Sequence, residues 1–227
     1  MYNVYTFSYL ILLLFCNPSI YLILIPNIKI NIRRLMCGLS PSAPVRTFPN
    51  LNGENVKLRE LYRKDVKRIP KLLTQEVSYY LKQTIPNPYK IEDAIRFITE
   101  SHRSFKSRKG FIFGIDFRET GDEFSSSIVG IISVDNIDKI NRNAEVGYWI
   151  GKEYWDRGIV TESLELVIDY AFHILDLHKL YASVFAQNIA SIHVLEKCSF
   201  RKEGQLCEQR YKHGKFHNIL LYGIIKK

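Results

Sequence analysis

The stretch from Ala144 to Phe172 holds the residues with the clearest capacity for chemistry. The sequence predicts a strand at its start, a loop around Arg157-Gly158 and then a helix. The first N–H groups of a helix have no acceptor within the helix and lie at the positive end of its dipole, so they bind phosphates well. Gly158 would let the backbone approach such a ligand closely. The segment therefore predicts either a phosphate-binding loop or a plain strand-to-helix turn.

Cysteines and histidines show no metal-site or disulfide pattern. None of the four cysteines has Cys-x-x-Cys spacing, which excludes a zinc knuckle and a disulfide framework and favours a reducing compartment: Cys16, Cys37, Cys198 and Cys207. No group of His, Cys and Asp has the spacing of metal ligands, so we expect no metal. Cys198 is expected to be a small buried hydrophobic residue rather than a nucleophile.

The elements around the Ala144–Phe172 stretch are typical of a mixed α/β sheet. Alternating apolar residues predict strands over 56–61, 111–117, 128–134, 144–150, 180–185, 200–209 and 216–225. Helical spacing predicts helices over 65–73, 76–81, 91–105 and 190–197. A further helix is predicted from five apolar residues that fall on one face: Leu164, Val167, Ile168, Ala171 and Phe172. A hairpin loop is predicted at 119–123. This order favours a mostly antiparallel central sheet flanked by helices.

The N-terminal segment differs from the rest of the chain. Residues 1–28 are strongly apolar and carry no charge, but Asn17-Pro18 interrupts them. They are interpreted as a membrane anchor, a targeting peptide or a non-native extension, with 1–35 as this segment, 36–50 as a linker and 51–227 as the domain. Of the net charge of +9, residues 1–50 carry +4. The domain mixes both signs, so no nucleic-acid surface is expected.

Several motifs in the predicted order resemble one family. The residues Ala144-Glu145-Val146-Gly147-Tyr148-Trp149 are followed by Trp155-Asp156-Arg157-Gly158-Ile159-Val160-Thr161-Glu162-Ser163. A second block holds Asn188, Ser191, Leu195-Glu196-Lys197, Phe200 and Glu203-Gly204. These blocks resemble the GNAT superfamily of acyl-CoA N-acyltransferases, and within it the RimJ/RimL-like branch. The resemblance implies the GNAT fold over roughly residues 51 to 225.

The resemblance also implies where acetyl-CoA, the co-substrate, would bind. The loop from Arg157 through Gly158, Ile159 and Val160 to Thr161 would hold its pyrophosphate through backbone N–H groups. Strand residues Tyr148, Trp149 and Ile150 would run along its pantetheine arm, and Asn188 would hold the far side of that arm. The chain departs from the family pattern at Asp156, Val160 and Ser199.

Amine acetylation needs a base for the ammonium and a proton for the departing thiolate. Glu145 is the candidate base, acting directly or through a water; the alternative is an exposed carboxylate or a salt-bridge partner. Many GNAT enzymes carry a tyrosine in the second block, where this chain has Leu195. Ser191 is therefore the candidate acid, against a plain helix-capping or ligand-contact role. His213 and His217 either line the acceptor pocket or, more in keeping with their position, lie on a surface loop.

These observations predict an N-acetyltransferase that transfers acetyl from acetyl-CoA to a primary amine in a ternary complex. The RimJ/RimL-like branch implies a protein N-terminal amine as acceptor. A small-molecule amine and a non-catalytic CoA-binding or interaction module are the alternatives. The domain is expected in the cytoplasm as a monomer or homodimer, with membrane contact only if residues 1–28 are an anchor.

Overall fold

The computed structural model describes residues 47–82, 85–119, 124 and 127–227. The predictions for residues 1–35, for the linker up to residue 46 and for most of the 119–123 loop lie outside the described residues. Phe48, inside the predicted linker, packs its ring against Phe105 and Phe113, each at a centroid distance of 5.1 Å. Core packing therefore extends at least to Phe48.

The described chain forms one eight-stranded sheet. Its strands are β1 (Leu51–Asn52), β2 (Val56–Glu60), β3 (Phe111–Phe117), β4 (Gly130–Asp138), β5 (Asn143–Ile150), β6 (Lys179–Phe185), β7 (Arg201–Lys212) and β8 (Lys215–Ile225). They lie in the order β1-β2-β3-β4-β5-β6-β8-β7. Every neighbouring pair is antiparallel except β5 and β6, which are parallel. The predicted mixed, mostly antiparallel α/β fold is confirmed.

The helices are α1 (Ile69–Leu72), α2 (Gln75–Ser78), α3 (Ile91–Lys106), α4 (Ile159–His173) and α5 (Ile189–Lys197), with 3₁₀ turns at Arg63–Asp65 and Lys152–Tyr154. The prediction of one helix over 65–73 was wrong. Pro70 lacks an N–H and is tolerated only in the first turn of a helix, so α1 starts beside it as a separate short helix. The helix predicted over 76–81 is shorter in the structure, where α2 spans Gln75–Ser78.

Helices cover both faces of the sheet, as the alternation along β4 shows. Ile131 packs in a cluster with residues of α1 and α3, whereas the next residue, Ile132, packs in the cluster that contains α4. Successive side chains of a strand point to opposite faces, so α3 and α4 lie on opposite sides. The α4 face predicted from spacing is confirmed, since Leu164, Val167 and Ala171 are fully buried.

Candidate active site

The parallel strands β5 and β6 pair for only three residues and then separate. Their register runs from Asn143–Lys179 to Glu145–Tyr181. Beyond it, β5 stays paired with β4 and β6 stays paired with β8. The separation opens a cleft of about 270 Å³ between the strand ends, α5 and the segment after α2. The edge of β5 that faces the cleft thus offers backbone groups beyond its ladder with β6.

Glu145 lies at the point where the two strands part, and its side chain lines the cleft. The Glu145 side chain is 15% exposed, and its Oε2 lies 3.3 Å from Nζ of Lys82. The same oxygen accepts a 3.0 Å hydrogen bond from the side-chain amide of Asn136. Asn136 sits at an irregularity of β4 with a left-handed φ of 54°. Both interpretations of Glu145 find support, since it is a salt-bridge partner and also faces the cleft.

A second carboxylate, which the sequence analysis missed, faces the same cleft. Asp135 is the direct partner of Glu145 in the β4–β5 register, and both side chains line the cleft. Burial raises the pKa of Asp135, and the neighbouring charge of Glu145 raises it further. Two carboxylates side by side favour a cation between or above them. The cross-strand register brings these two residues together, and that register cannot be deduced from the sequence.

On the opposite wall, the start of α5 presents Asn188 and Ser191. The side-chain oxygen of Asn188 caps the helix by accepting a 3.2 Å hydrogen bond from the Ser191 N–H. The Ser191 hydroxyl is therefore not the cap; it lies 2.9 Å from the Tyr148 hydroxyl and shares a hydrogen bond with it. Tyr148 also donates to the Ser191 carbonyl at 3.2 Å, and burial raises the pKa of Tyr148.

The remaining residues of α5 that concern the chemistry are apolar or unreactive. Leu195, at the position of the family's tyrosine, is buried at the cleft wall. Cys198 is buried, and burial raises the pKa of its thiol to about 11. A thiol that stays protonated is a poor nucleophile, so the interpretation of Cys198 as a small hydrophobic residue is confirmed.

The predicted phosphate loop lies beyond the far end of β5. Gly158 precedes α4 with a left-handed φ of 74°, and a Cβ added there would meet nothing within 4 Å. Glu162 is the first helix residue whose N–H reaches a helix carbonyl, that of Gly158 at 3.1 Å. The N–H groups of residues 159–161 are therefore left without helix acceptors. The carboxylate of Glu162 accepts the Asn55 N–H at 2.9 Å and so fixes this turn to the β1–β2 hairpin.

Three side chains of this loop have partners within the protein. Arg157 pairs with Glu119 at 2.8 Å and places its guanidinium 5.7 Å from the ring centre of Tyr154. Ile159 is buried, and Val160 packs against the core. A ligand at this helix start would meet the backbone N–H groups of residues 159–161.

The predicted site residues thus fall into two groups, one at the cleft and one beyond the far end of β5. Side chains of one group line the cleft: Glu145, Tyr148, Trp149, Asn188 and Ser191. Ile150 is buried, and residues 157–161 lie outside that lining. Strand β5 and the 3₁₀ turn at Lys152–Tyr154 join the two groups. An elongated ligand would have to follow β5 to touch both.

The surface-loop prediction for the two histidines near the final hairpin is confirmed for His213 and wrong for His217. His217 was predicted on a surface loop, and that was wrong: it is buried on β8, where its Nε2 lies 3.1 Å from the Lys212 carbonyl oxygen. His213 stacks on Tyr79 at a centroid distance of 4.3 Å. Neither histidine is among the residues that line the cleft. His213 lies exposed in the turn between β7 and β8, whereas the alternation along β8 turns His217 inward.

Lys212 carries a role that the sequence analysis missed. Its Nζ donates to the backbone carbonyls of Ser78, at 2.9 Å, and Leu81, at 2.6 Å. Burial lowers the pKa of Lys212. These bonds fasten the segment after α2 to the final hairpin, and that segment supplies Tyr80 and Lys82 to the cleft.

Among the described residues there is neither a metal-binding cluster nor a membrane-spanning helix. No three His, Cys, Asp or Glu side chains within them lie close enough to hold a metal ion together. No helix in the described part of the chain is long and apolar enough to cross a membrane.

Comparisons with known proteins agree with this geometry. Residues 55–201 match the family model described as an acetyltransferase (GNAT) domain. YdaF of Bacillus subtilis (strain 168), provisionally named a ribosomal N-acetyltransferase, is 31% identical over 77% of this chain and 93% of its own. The spermidine N(1)-acetyltransferase of Vibrio cholerae is 26% identical over 74% of this chain and 91% of its own. The solved structure of RimL, a ribosomal alpha-N-protein acetyltransferase, with coenzyme A shares the fold at a TM-score of 0.69 and 19% identity, covering 78% of this chain and 98% of that chain.

Proposed function

The chain belongs to the GNAT family of acetyl-CoA-dependent N-acetyltransferases, and we propose that it acetylates a protein N-terminal amine by direct attack in a ternary complex. The observation that carries the proposal is the position of Glu145. Its carboxylate stands at the point where β5 and β6 part, mostly shielded from solvent, where an amine and an acetyl donor lying along β5 would meet.

The binding of acetyl-CoA is proposed to use both groups of site residues. The open space at Gly158 and the unpaired N–H groups at the start of α4 suit the pyrophosphate. Residues 148–150 lie on the free edge of β5, where backbone groups can pair with the amides of the pantetheine arm. Asn188 lines the cleft from the opposite wall. Its side-chain oxygen is occupied by the helix cap, so its amide nitrogen is the atom offered to the arm.

Two side chains in the cleft are proposed to carry out the proton transfers, Glu145 as the base and Ser191 as the acid. Acetyl-CoA supplies a thioester that is activated toward attack by an amine. Glu145 takes the proton that the acceptor ammonium must lose before its lone pair is free, and such a base typically contributes about 10²–10⁴-fold in rate. Ser191 gives its proton to the departing thiolate and takes up the second proton that the nitrogen loses as the amide forms. Tyr148, hydrogen-bonded to Ser191, fixes the orientation of the serine hydroxyl. In this proposal Tyr148 is a positioning residue.

A polyamine is the second candidate acceptor, and one observation favours it. Asp135 and Glu145 place two carboxylates in the cleft, which suits a small, strongly cationic amine. Relatives support each candidate, since one is provisionally named for ribosomal substrates and another is named for spermidine. The two acceptors differ in size, so they can be separated by assay.

The test is a thiol-release assay of the full chain with acetyl-CoA and matched acceptors. One peptide has a free N-terminus and no lysine, its control has the same sequence with a blocked N-terminus, and spermidine is the third acceptor. Turnover of the free peptide alone supports the proposal. Turnover of spermidine alone would replace it with the polyamine candidate. Acetyl-CoA binding without turnover of any amine would indicate a non-catalytic CoA-binding module.

A further inference from the structure

The chain places one of its own primary amines at the proposed base. Nζ of Lys82 lies 3.3 Å from Oε2 of Glu145, and both side chains line the cleft. Lys82 comes from the segment after α2, far along the chain from β5, so this is a tertiary contact. The Lys82 side chain is 58% exposed, whereas the Glu145 side chain is 15% exposed. Lys82 therefore reaches from solvent to the carboxylate, as an incoming acceptor amine would.

Contacts made by the residues just before Lys82 hold this arrangement. Lys212 binds the carbonyls of Ser78 and Leu81, directly before Lys82. The Tyr80 hydroxyl donates to the Gln187 carbonyl at 3.3 Å, and its ring lies 5.9 Å from that of Phe185 on β6. The segment is thus attached to the final hairpin and to the far wall of the cleft.

The charges around Lys82 favour an amine at this position. Asp135 lines the same cleft and is the cross-strand partner of Glu145, so two carboxylates attract the ammonium. An amine carried by the protein meets the reaction partners within one molecule, which raises its effective concentration far above that of a free acceptor.

We propose that Lys82 is a site of self-acetylation, the class of acyl donor being an acetyl thioester of CoA. The proposal rests on the proposed function, since it uses the same base and the same donor. Glu145 takes one proton from the Lys82 ammonium, and the Nζ lone pair forms a bond to the acetyl carbonyl carbon. The carbon–sulfur bond breaks, the sulfur leaves with the electron pair as a thiolate, and the second proton lost by Nζ neutralises it. The products are acetyl-Lys82 and CoA, and the first proton passes from Glu145 to solvent.

The modification would change the cleft for later substrates. Acetyl-Lys82 carries no positive charge, so the ion pair with Glu145 is lost and both carboxylates face the cleft without this counter-charge. The chain also offers a matched control lysine. Lys152 is 55% exposed and ion-paired with Glu76 at 2.9 Å, but it lies outside the cleft.

The experiment incubates the full chain with acetyl-CoA and no acceptor, and follows intact mass and the acetylated peptides over time. We expect a gain of one acetyl group, located at Lys82 at least about tenfold faster than at Lys152, because only Lys82 is held at the base. The rate constant should not depend on protein concentration. Lys82→Arg should remove the rapid phase, and Glu145→Gln should slow it strongly.

Three results would overturn the proposal. Equal rates at Lys82 and Lys152 would mean unassisted chemical acetylation of exposed lysines. Unchanged acetylation of Lys82 in the Glu145→Gln protein would mean that the attack does not use this base. Turnover of an added amine by the wild-type chain, with Lys82 unmodified, would refute self-acetylation while leaving the proposed function standing; failure of both reactions would refute the proposed function as well.

Discussion

Replacing Gly158 with valine isolates the contribution of the α4 start to acetyl-CoA binding. Gly158 has a φ of 74°, and an added Cβ would meet no protein atom within 4 Å. The cost to folding therefore comes from backbone strain alone, about 1–2 kcal/mol for a left-handed residue that carries a Cβ. For a domain of this size, each kcal/mol lowers Tm by about 2–4 °C. The variant should fold, with a Tm lowered by roughly 2–8 °C.

The cost to binding should exceed the cost to folding. Gly158 directly precedes residues 159–161, whose N–H groups are assigned to the pyrophosphate, so we expect the valine methyl groups to occupy part of that position. Each hydrogen bond to a charged group contributes about 1.5–3 kcal/mol. Loss of one such bond raises Kd by about 10-fold to 150-fold, and loss of two raises it further.

Gly214 provides the matched control for this prediction. It has a φ of 79° and the same open surroundings, but it lies in the turn between β7 and β8. Calorimetry with acetyl-CoA should show weaker binding for Gly158→Val and wild-type binding for Gly214→Val, with similar losses of Tm. Wild-type affinity in Gly158→Val would refute the assignment of this helix start to the pyrophosphate.

Three further predictions concern stability. Asp135→Asn should stabilise the fold at pH 7. Burial raises the pKa of Asp135 in the folded chain above its unfolded value, so the wild-type chain loses stability as pH rises through the interval between the two values. In urea unfolding, the stability gained by Asp135→Asn should therefore be larger at pH 7 than at pH 4, and a larger gain at pH 4 would contradict this. Tyr170→Phe should leave the free energy of unfolding unchanged or raise it by up to about 1 kcal/mol, because the buried Tyr170 hydroxyl has no hydrogen-bond partner among the described residues. A clear loss of stability in thermal melts would mean that the hydroxyl is bonded. A chain shortened to begin at Met36 should fold and give a far-UV circular dichroism spectrum close to that of the full chain, because it keeps Phe48 and every described strand. Insoluble protein would argue against the predicted domain boundary.

Local periodicity was sufficient to predict most elements of the fold. The spacing of Leu164, Val167 and Ala171 places them on one helical face, and all three are buried. Strand β3 was predicted with its observed bounds, Phe111–Phe117. Such patterns persist because each element must bury one face against the same sheet. The helix over 65–73 failed where a single residue, Pro70, overrides the periodicity.

Residues that line the cleft were predicted where a sequence motif contains them, in the 144–163 stretch and in the block that holds Asn188 and Ser191. Glu145, Tyr148 and Gly158 stand in one stretch of sequence whose motif can be read directly. The partners that give Glu145 its surroundings come from elsewhere in the chain. Asp135 meets it through the β4–β5 register, and Lys82 meets it through the attachment of the segment after α2. The register of two strands and a contact between distant segments depend on the assembled sheet, so no local sequence pattern predicts them.

The measurement that tests the central claim most directly is the pH dependence of turnover for Glu145→Gln, with acetyl-CoA and whichever amine the wild-type chain accepts. Glutamine keeps the shape of the side chain and an oxygen for Asn136, but it cannot take a proton. We predict a loss of about 100-fold in kcat at pH 7, equivalent to about 2.7 kcal/mol, with acetyl-CoA affinity nearly unchanged. The defect should shrink as pH rises toward the pKa of the acceptor, where the neutral amine becomes abundant. Unchanged turnover at pH 7 would contradict the account and leave Glu145 with a structural role only.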